Sequence, residues 1–378
     1  MPRTEERALI QEAAKRFAAE RLAPFAAQWD REHTFPAEAV AELGTLGFLG
    51  MLVPDEWGGG GAGYLAYALA VEEIAAGDGS VSTIMCVQNT LIALPLLRFA
   101  TEAQKKHLLG PVARGETLGC FCLTEPQAGS DAGNLKTRAR RDGDGWVLSG
   151  TKQFITSGAR ADLAVVFAVS EPKAGKNGIS AFLVPTDNPG YSVARIEDKL
   201  GQNASDTAQV VFDDLRLEAD ALLGDENGGY RIALSTLEGG RIGIAAQAVG
   251  MARAAYEAAL AYAQEREAFG KPIIGHQAVA FRLADMATGI EAARQLIHHA
   301  ATLADAGQPC RKEAAMAKLF ASETAEKVCS DAIQVHGGYG YLKDFPVERI
   351  WRDVRVCRIY EGTSDIQRLI ISREIAGN

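Results

Sequence analysis

The spacing of the apolar residues changes twice along this chain, and this change constrains the fold more than any other feature. Residues 5–114 are rich in alanine and leucine at helical spacing. Residues 116–223 contain short β-branched and aromatic runs, which are typical of strands. After Gly228-Gly229 long helical patterns return and continue nearly to the end. We predict an all-α N-terminal domain at residues 1–115, a small antiparallel β domain at residues 116–223, and a C-terminal four-helix bundle at residues 224–378.

Glycine and proline indicate where these elements stop. Helix breaks are expected at Pro24, at Pro36, and at residues 57–61, 270–272, 307–309 and 336–338. The predicted strands include residues 146–148, 163–169, 179–184 and 210–212. Asp142-Gly143-Asp144-Gly145 is a hairpin signal between two of the strands.

Composition limits the class of partner. The 378 residues are 47% hydrophobic and contain no apolar run long enough to cross a bilayer, so we expect a soluble globular protein. With 39 basic and 48 acidic residues the net charge is -9. This charge disfavours nucleic acid and anionic membranes as partners. The first residues carry no apolar signal core, and we expect a cytoplasmic location.

The spacing of cysteine and histidine predicts no metal site. The close pair Cys120 and Cys122 has neither a zinc nor a redox spacing. His298 and His299 are adjacent, so on a helix they point about 100° apart, and no acidic or cysteine cluster completes a site. We expect reduced, mostly buried thiols and no metal.

A glycine-rich segment imitates a dinucleotide-binding motif. Residues 58–63 satisfy Gly-x-Gly-x-x-Gly. That motif has to follow a strand and open a helix within a strand-helix-strand unit, whereas this segment lies in helical sequence with no second strand. We interpret it as a loop between helices.

One carboxylate near the C-terminus stands where a catalytic base could be placed. Gly362, directly after Glu361, lets the backbone turn sharply. Ser364 and Gln367 form a capping-box pattern, which predicts that a helix begins there. Apolar neighbours could desolvate the carboxylate and raise its pKa, which would make it a better proton acceptor. Taken alone, the pattern is also compatible with an ordinary surface glutamate in a turn.

Two further features leave alternatives open. Arg241 falls on the apolar face of a predicted helix, between Leu237 and Ile244, so it must form a buried ion pair or face a polar ligand. Residues 121–131 lead from a strand into a turn rich in hydroxyls and small residues. Such a turn can present amides and hydroxyls to a phosphate or a heterocycle, but it can also be a plain β-turn capped by Asp131.

Six blocks of sequence, in the right order, resemble the acyl-CoA dehydrogenases from end to end. They are residues 121–131, 150–156, 265–271, 276–277, 334–338 and 360–364. The resemblance implies the helical-β-helical fold of that family and one noncovalent FAD per subunit. It also implies oxidation of an acyl-CoA thioester to the trans-2-enoyl-CoA. Glu361 would remove the α proton while the β hydrogen leaves as hydride to the flavin N5.

The resemblance also implies roles for other residues. Phe121, Leu123, Thr124, Phe154, Ile155 and Thr156 would line the flavin ring, with Ser130 near the flavin and CoA phosphates. Arg266, Phe269, Gln277, Gln334, Val335, Gly337 and Gly338 would hold the dinucleotide, partly across a subunit interface, and Thr363 and Ser364 would hold the flavin's other end. Substrate contacts would come from Ser130, Glu238, Arg241, Gly362 and Arg373. The Glu361 backbone N–H and a ribityl hydroxyl would bind the thioester oxygen.

Some family members place the catalytic glutamate at the helix position that is Gly240 here, so Glu361 is the base by resemblance. Residues 240–245 and 87–90 look most like members that act on short straight or short branched acyl chains. Ser157 and Phe154 depart from the residues common in the family, asparagine and tryptophan. The usual acceptor is electron-transferring flavoprotein, and the usual assembly is a homotetramer.

Two alternatives share this fold. An acyl-CoA oxidase would pass the electrons to O₂, and the absence of an added C-terminal domain argues mildly against it. A non-catalytic acyl-CoA-binding scaffold would retain the fold alone, and Glu361 together with the complete flavin blocks argues against that. Fatty-acid β-oxidation and branched-chain amino-acid degradation both remain open as the pathway.

Overall fold

The computed structural model describes residues 2–377, and helices, strands and helices follow one another as the sequence predicts. The N-terminal helices are α1 Pro2–Phe17, α2 Ala23–Glu32, α3 Ala37–Thr45, α4 Gly63–Gly77, α5 Gly79–Cys86, α6 Leu94–Phe99, α7 Glu102–Gln104 and α8 Gly110–Ala113. The strands of the central region are β1 Gly119–Cys122, β2 Arg138–Asp142, β3 Gly145–Thr156, β4 Leu163–Val169, β5 Ile179–Pro185, β6 Tyr191–Ile196, β7 Thr207–Leu217 and β8 Leu222–Leu223. The C-terminal elements are α9 Gly229–Glu265, β9 Glu267–Ala268, β10 Lys271–Pro272, α10 Gln277–Asp305, α11 Arg311–His336, α12 Pro346–Val354 and α13 Ser364–Ala376.

One expected helix break is absent. The chain continues from α1 through a π-helical turn, Ala18–Leu22, directly into α2. Pro24 follows this π-helical turn, in the first turn of α2, and the helix continues through it. The prediction of a break at Pro24 is therefore wrong, whereas Pro36 and the glycine-rich loop before α4 do separate helices. No strand precedes that loop within the described residues, which supports the rejection of the dinucleotide motif.

A long apolar run forms part of the interior. Gly79–Phe99, which comprises α5, a π-helical turn and α6, is long and apolar enough to cross a membrane by length and composition. The sequence-based statement that no such run exists was therefore wrong. However, 94% of an 18-residue stretch of this segment is buried inside the protein, which is typical of a core helix.

Eight strands form a mixed sheet in the central region. The strand order is β6-β7-β3-β2-β4-β5-β8, and β1 pairs with β4. Most pairs are antiparallel, including the predicted hairpin in which Asp142 faces Gly145. The pairings of β1 and β2 with β4 are parallel, which the antiparallel prediction did not include.

The central strand β4 is buried on both faces. Leu163, Val165 and Phe167 pack with the N-terminal helices in one cluster, and Ala164 and Val166 pack within the β region in another. Because alternate residues of a strand point to opposite faces, burial on both sides produces a continuous apolar run. This explains the unbroken apolar sequence of β4.

The N-terminal and C-terminal helices share one core. A single cluster of buried side chains contains residues from α1, α3, α4, α5 and α9–α12. Close contact depends on small residues, because a Cβ on Gly250 of α9 would meet the backbone of Glu72 in α4. The first and last segments are therefore held together by packing that local sequence patterns do not report.

All six cysteines are free and buried, as the spacing predicted. Among residues 2–377 there is no group of three His, Cys, Asp or Glu side chains that could hold a metal ion. The absence of a metal site stays a prediction.

Candidate functional site

Glu361 lies in a tight loop between a 3-10 turn, Arg355–Arg358, and α13. Its φ angle is 51°, and that of Gly362 is 94°, so two successive residues adopt positive φ values. The Thr363 hydroxyl caps α13 by accepting a 3.3 Å hydrogen bond from the Ile366 N–H. The capping-box prediction was therefore one residue late, because Thr363 rather than Ser364 is the cap.

Two buried side chains hold the carbonyls of this loop. The Lys318 Nζ, on α11, donates to the Gly362 carbonyl at 2.7 Å. The Gln367 Nε2, on α13, donates to the same carbonyl at 2.8 Å and to the Glu361 carbonyl at 3.2 Å. Neither side chain is exposed to solvent. The loop is therefore fixed from two helices.

The neighbouring Tyr360 is anchored by a buried polar cluster. Its hydroxyl donates to the Gln247 Oε1 of α9 and accepts from the Gln202 Nε2 at 3.3 Å. The Gln247 Nε2 donates in turn to the Thr83 hydroxyl of α5 at 2.6 Å. The residue before Glu361 is thus tied to both helical regions.

The Glu361 carboxylate points into an enclosed space. The residue as a whole is half-buried, but its Oε2 is shielded from solvent and has no hydrogen-bond partner in the described residues. Burial raises the pKa of Glu361 from 4.5 to about 7, although the cations of Lys318 and Arg241 oppose this shift. A carboxylate with such a pKa can accept a proton near neutral pH.

Gly240 of α9 provides the space that this carboxylate occupies. A Cβ built on Gly240 would overlap the Glu361 Oε2 and lie 2.7 Å from its Cδ and 3.0 Å from its Oε1. Any side chain at residue 240 would therefore compete with the carboxylate for one position.

Arg241 is a buried cation that faces the same space. Only 5% of the residue is exposed, and its Nε has no hydrogen-bond partner. In the part of the chain that the structure describes, no acidic oxygen lies within 4.0 Å of it. Burial lowers the pKa of Arg241, and the charges of Glu238 and Glu361 oppose this shift. The predicted alternative of a buried ion pair is not observed.

A cavity of about 780 Å³ joins these residues to the central sheet. The walls of this cavity are formed by helices α5, α9 and α13, by strand β3, and by the turn that follows β1. Eleven of the residues predicted from the sequence line it, namely Phe121, Leu123, Thr124, Ser130, Phe154, Thr156, Glu238, Arg241, Glu361, Gly362 and Arg373.

The remaining predicted residues do not line this cavity. Ile155 is buried beneath it in β3, and Thr363 and Ser364 form the start of α13. Another set lies at one end of the helical bundle, at the β9-β10 turn, the start of α10 and the end of α11, and comprises Arg266, Phe269, Gln277, Gln334, Val335, Gly337 and Gly338. Phe269 is 96% exposed there, whereas Val335 is buried. The Arg266 guanidinium lies 5.8 Å from the ring centre of Tyr339, so the two halves of this set are adjacent.

A buried ion pair supports the turn that carries Thr124 and Ser130. The Lys152 Nζ lies 2.8 Å from the Glu125 Oε1, and both side chains are almost completely buried. Glu125 also accepts hydrogen bonds from the backbone N–H groups of Lys136 at 2.6 Å and Thr137 at 3.0 Å. Burial would raise the pKa of Glu125, but the Lys152 charge and these hydrogen bonds lower it to about 2. The turn is therefore held by a buried ion pair and two backbone hydrogen bonds, and it is not a plain β-turn.

Sequence reasoning missed several residues of this site. Lys318 and Gln367 hold the loop, and Lys176, Arg231 and Arg311 add positive charge to the cavity wall. Lys318 lies on a helix face with Ala314 and Ala321, both fully buried. The argument applied to Arg241 would have identified it, because a cation on an apolar helix face needs a partner. The three cavity cations carry no such local signal.

Comparison with known families gives a continuous match. The descriptions that match are acyl-CoA dehydrogenase, N-terminal domain at residues 4–116, middle domain at residues 120–215 and C-terminal domain at residues 227–376. Together the three matches span nearly the whole chain. Their boundaries lie close to the two places where the chain changes from helices to strands and from strands back to helices.

Individual relatives are similar over nearly their full length. The mitochondrial short-chain specific acyl-CoA dehydrogenase of Bos taurus is 49% identical over 372 residues, covering 98% of this chain and 90% of that protein. The structure of butyryl-CoA dehydrogenase from Megasphaera elsdenii matches with a TM-score of 0.96 and 40% identity, covering 98% of both chains. A chain from a structural study of the electron transferring flavoprotein of Acidaminococcus fermentans matches with a TM-score of 0.97 and 44% identity, covering 99% of this chain and 98% of that chain.

Proposed function

Because this chain belongs to the acyl-CoA dehydrogenase family, whose members are FAD-dependent oxidoreductases, we propose that it converts a short acyl-CoA thioester to the trans-2-enoyl-CoA. Glu361 removes the α proton. The observation that carries this assignment is the Glu361 Oε2, which is enclosed in the cavity without a hydrogen-bond partner while its pKa is raised to about 7. An unpartnered carboxylate can accept a proton without first breaking a hydrogen bond.

The cavity wall fits the flavin end of FAD. It combines the aromatic residues Phe121 and Phe154 with the hydroxyls of Thr124, Ser130 and Thr156. Phe154 is 63% exposed and has a φ angle of 59°. This backbone conformation is unfavourable for a residue with a side chain, and such conformations cluster at ligand sites. When bound, FAD accepts the β hydrogen with its electron pair as hydride.

The backbone beside Glu361 is suited to bind the thioester oxygen. In the described residues, the Glu361 N–H donates no hydrogen bond to another protein group. A free N–H directed at a carbonyl oxygen stabilises the negative charge that develops there when the α proton leaves. The Glu361 side chain can thus accept the proton while the backbone of the same residue stabilises the resulting charge.

The distribution of charge around the cavity supports an acyl-CoA with a short neutral chain. Thr83, Val87 and Leu91 line it from α5 and the π-helical turn that follows, and none of them is charged. The cations instead come from other elements, with Arg231 near the start of α9 and Arg311 at the start of α11. Cations of this kind suit the phosphates of CoA. The short-chain relatives support the same substrate class.

A homotetramer and electron-transferring flavoprotein complete the proposal. The residues at the end of the bundle that are predicted to hold the dinucleotide, including Arg266 and Phe269, do not line the cavity of their own chain. They can serve the FAD of a second copy, which requires an oligomer.

The relation to a chain from the Acidaminococcus study supports electron-transferring flavoprotein as the acceptor. The cytoplasmic location stays a prediction.

Anaerobic titration with acyl-CoAs from butyryl and isobutyryl to palmitoyl tests this function. We expect the flavin absorbance to bleach, and to bleach most completely with the four-carbon substrates. A yellow protein that no acyl-CoA bleaches would contradict the proposal. Rapid reoxidation of the product-bound protein by air would instead identify an oxidase, and a protein that takes up no FAD would identify a scaffold.

A further inference from the structure

Lys318 is a fully buried cation that the reaction proposed above does not use. It lies in α11, and its only hydrogen bond in the described residues is the 2.7 Å bond from its Nζ to the Gly362 carbonyl. Removal of an ammonium group from water is unfavourable, and lysine is almost never fully buried without a partner. Here the partner is the backbone directly after the proton acceptor.

The loop needs such support because of its conformation. Glu361 carries a side chain and yet adopts a φ angle of 51°, in a region that L-residues seldom occupy. Gly362 follows at 94°, so the peptide between them is not stabilised by helix or strand hydrogen bonds. Instead, Gln367 donates to the Glu361 carbonyl, and Lys318 and Gln367 both donate to the Gly362 carbonyl.

We propose that Lys318 is a positioning residue, which together with Gln367 holds the Glu361–Gly362 loop so that the Glu361 carboxylate remains in the space beside Gly240. This inference rests on the proposed role of Glu361 as the proton acceptor. The clamp joins α11 and α13 to the loop, so it sets the direction of the carboxylate without touching the substrate.

The charge of Lys318 acts on the same carboxylate. The groups that face Glu361 from the surrounding elements are Lys318 of α11, Arg241 of α9, Tyr67 of α4 and Cys86 of α5. Only the first two are cations, and Lys318 opposes the raised pKa of Glu361 more than Arg241 does. Removal of the Lys318 charge therefore raises the pKa of Glu361 further and moves the acidic limb of the pH profile to higher pH.

Three variants test the clamp. Lys318→Met removes the donor and the charge, and Gln367→Met removes the other donor without a change in charge. Lys327→Met is the control, since Lys327 lies on the same helix with a 71% exposed side chain. The measurements are the anaerobic rate of flavin reduction by butyryl-CoA, its pH dependence, the dissociation constant of butyryl-CoA, and amide hydrogen exchange of the peptide containing residues 359–365.

For Lys318→Met we expect reduction to slow by about tenfold to a hundredfold, because a misplaced reacting group lowers the rate by such factors. The dissociation constant of butyryl-CoA changes much less. The acidic limb of the pH profile moves to higher pH, and the amides of residues 359–365 exchange faster. Gln367→Met slows reduction and speeds exchange without moving the limb, and Lys327→Met behaves as the unmodified protein.

Normal reduction, pH dependence and exchange in Lys318→Met would overturn the proposal. If that variant does not fold or hold FAD, Gln367→Met decides, and normal reduction and exchange there would overturn it equally. A wild-type protein that no acyl-CoA reduces contradicts the proposed function instead, and hydrogen exchange then still tests the clamp alone.

Discussion

The Cβ that Gly240 lacks would overlap the Oε2 of Glu361 and lie 2.7 Å from its Cδ. Two residues separated by 121 positions in the chain therefore compete for one volume. The resemblance to the family implies that a catalytic glutamate at the helix position and one in the loop are alternatives. The geometry gives a physical reason for this, because a side chain at residue 240 and the observed Glu361 carboxylate exclude each other.

Gly240→Ala should displace the carboxylate. We expect flavin reduction to slow by about a hundredfold, with FAD and acyl-CoA still bound, because the added methyl group moves the proton acceptor and leaves the flavin wall intact. Stopped-flow absorbance measures the rate. Gly60→Ala is the control, since a Cβ there would meet its nearest atom, the Met51 Cα, at 3.6 Å. An unchanged rate in Gly240→Ala would show that the carboxylate acts from another position.

Activity should fall on the acidic side of neutral pH. The pKa of Glu361 is raised to about 7 by burial, and only the ionised carboxylate accepts a proton. We expect kcat/KM to rise with pH through this value and then to level off. A profile that stays flat down to about pH 5, near the ordinary glutamate pKa, would show that the carboxylate is not desolvated in the free enzyme.

Arg241→Met should weaken acyl-CoA binding and move the acidic limb to higher pH. Arg241 forms no ion pair in residues 2–377, so its loss leaves no acid without a partner, and its cation lowers the pKa of Glu361. Binding titration and the pH profile measure the two effects, and thermal unfolding checks that the fold persists. If neither binding nor reduction changes, Arg241 has only a structural role.

Lys152→Met should loosen the turn that carries Thr124 and Ser130. The change leaves the Glu125 carboxylate buried without its 2.8 Å ion-pair partner, which typically costs about 3–5 kcal/mol of the free energy of unfolding. We expect a lower melting temperature and partial loss of FAD. The control Glu226→Gln breaks the exposed pair with Arg141 and should cost less than about 1 kcal/mol. Full FAD content and an unchanged melting temperature in Lys152→Met would contradict the role of this ion pair.

Local patterns were sufficient to predict the order of the elements. Apolar spacing reports which side of a helix or strand is buried, so the strand Leu163–Val169 and the return of helices at Gly229 were both recognisable. Pairings between distant segments were not recognisable from the sequence. The parallel pairing of β1 with β4 and the common core of α4 and α9 depend on tertiary packing, which leaves no period in one segment.

The candidate site divides in the same way. Glu361 and Arg241 were recognisable because each is a charged residue in an apolar context. Lys318 could have been identified by the same argument, but its partner could not, because the hydrogen bond from Lys318 to Gly362 joins residues 44 positions apart. The positive φ of Glu361 was also hidden, since Gly362 alone was expected to provide the turn.

Single-turnover reduction of Glu361→Gln by butyryl-CoA tests the central claim most directly. The variant keeps the shape of the side chain and loses only the proton acceptor, so FAD content and the spectral shift on butyryl-CoA binding should match the wild type. We predict that bleaching of the flavin slows by at least about four orders of magnitude, as when a catalytic group is removed. Bleaching at the wild-type rate would contradict the account, because the α proton would then leave to another group.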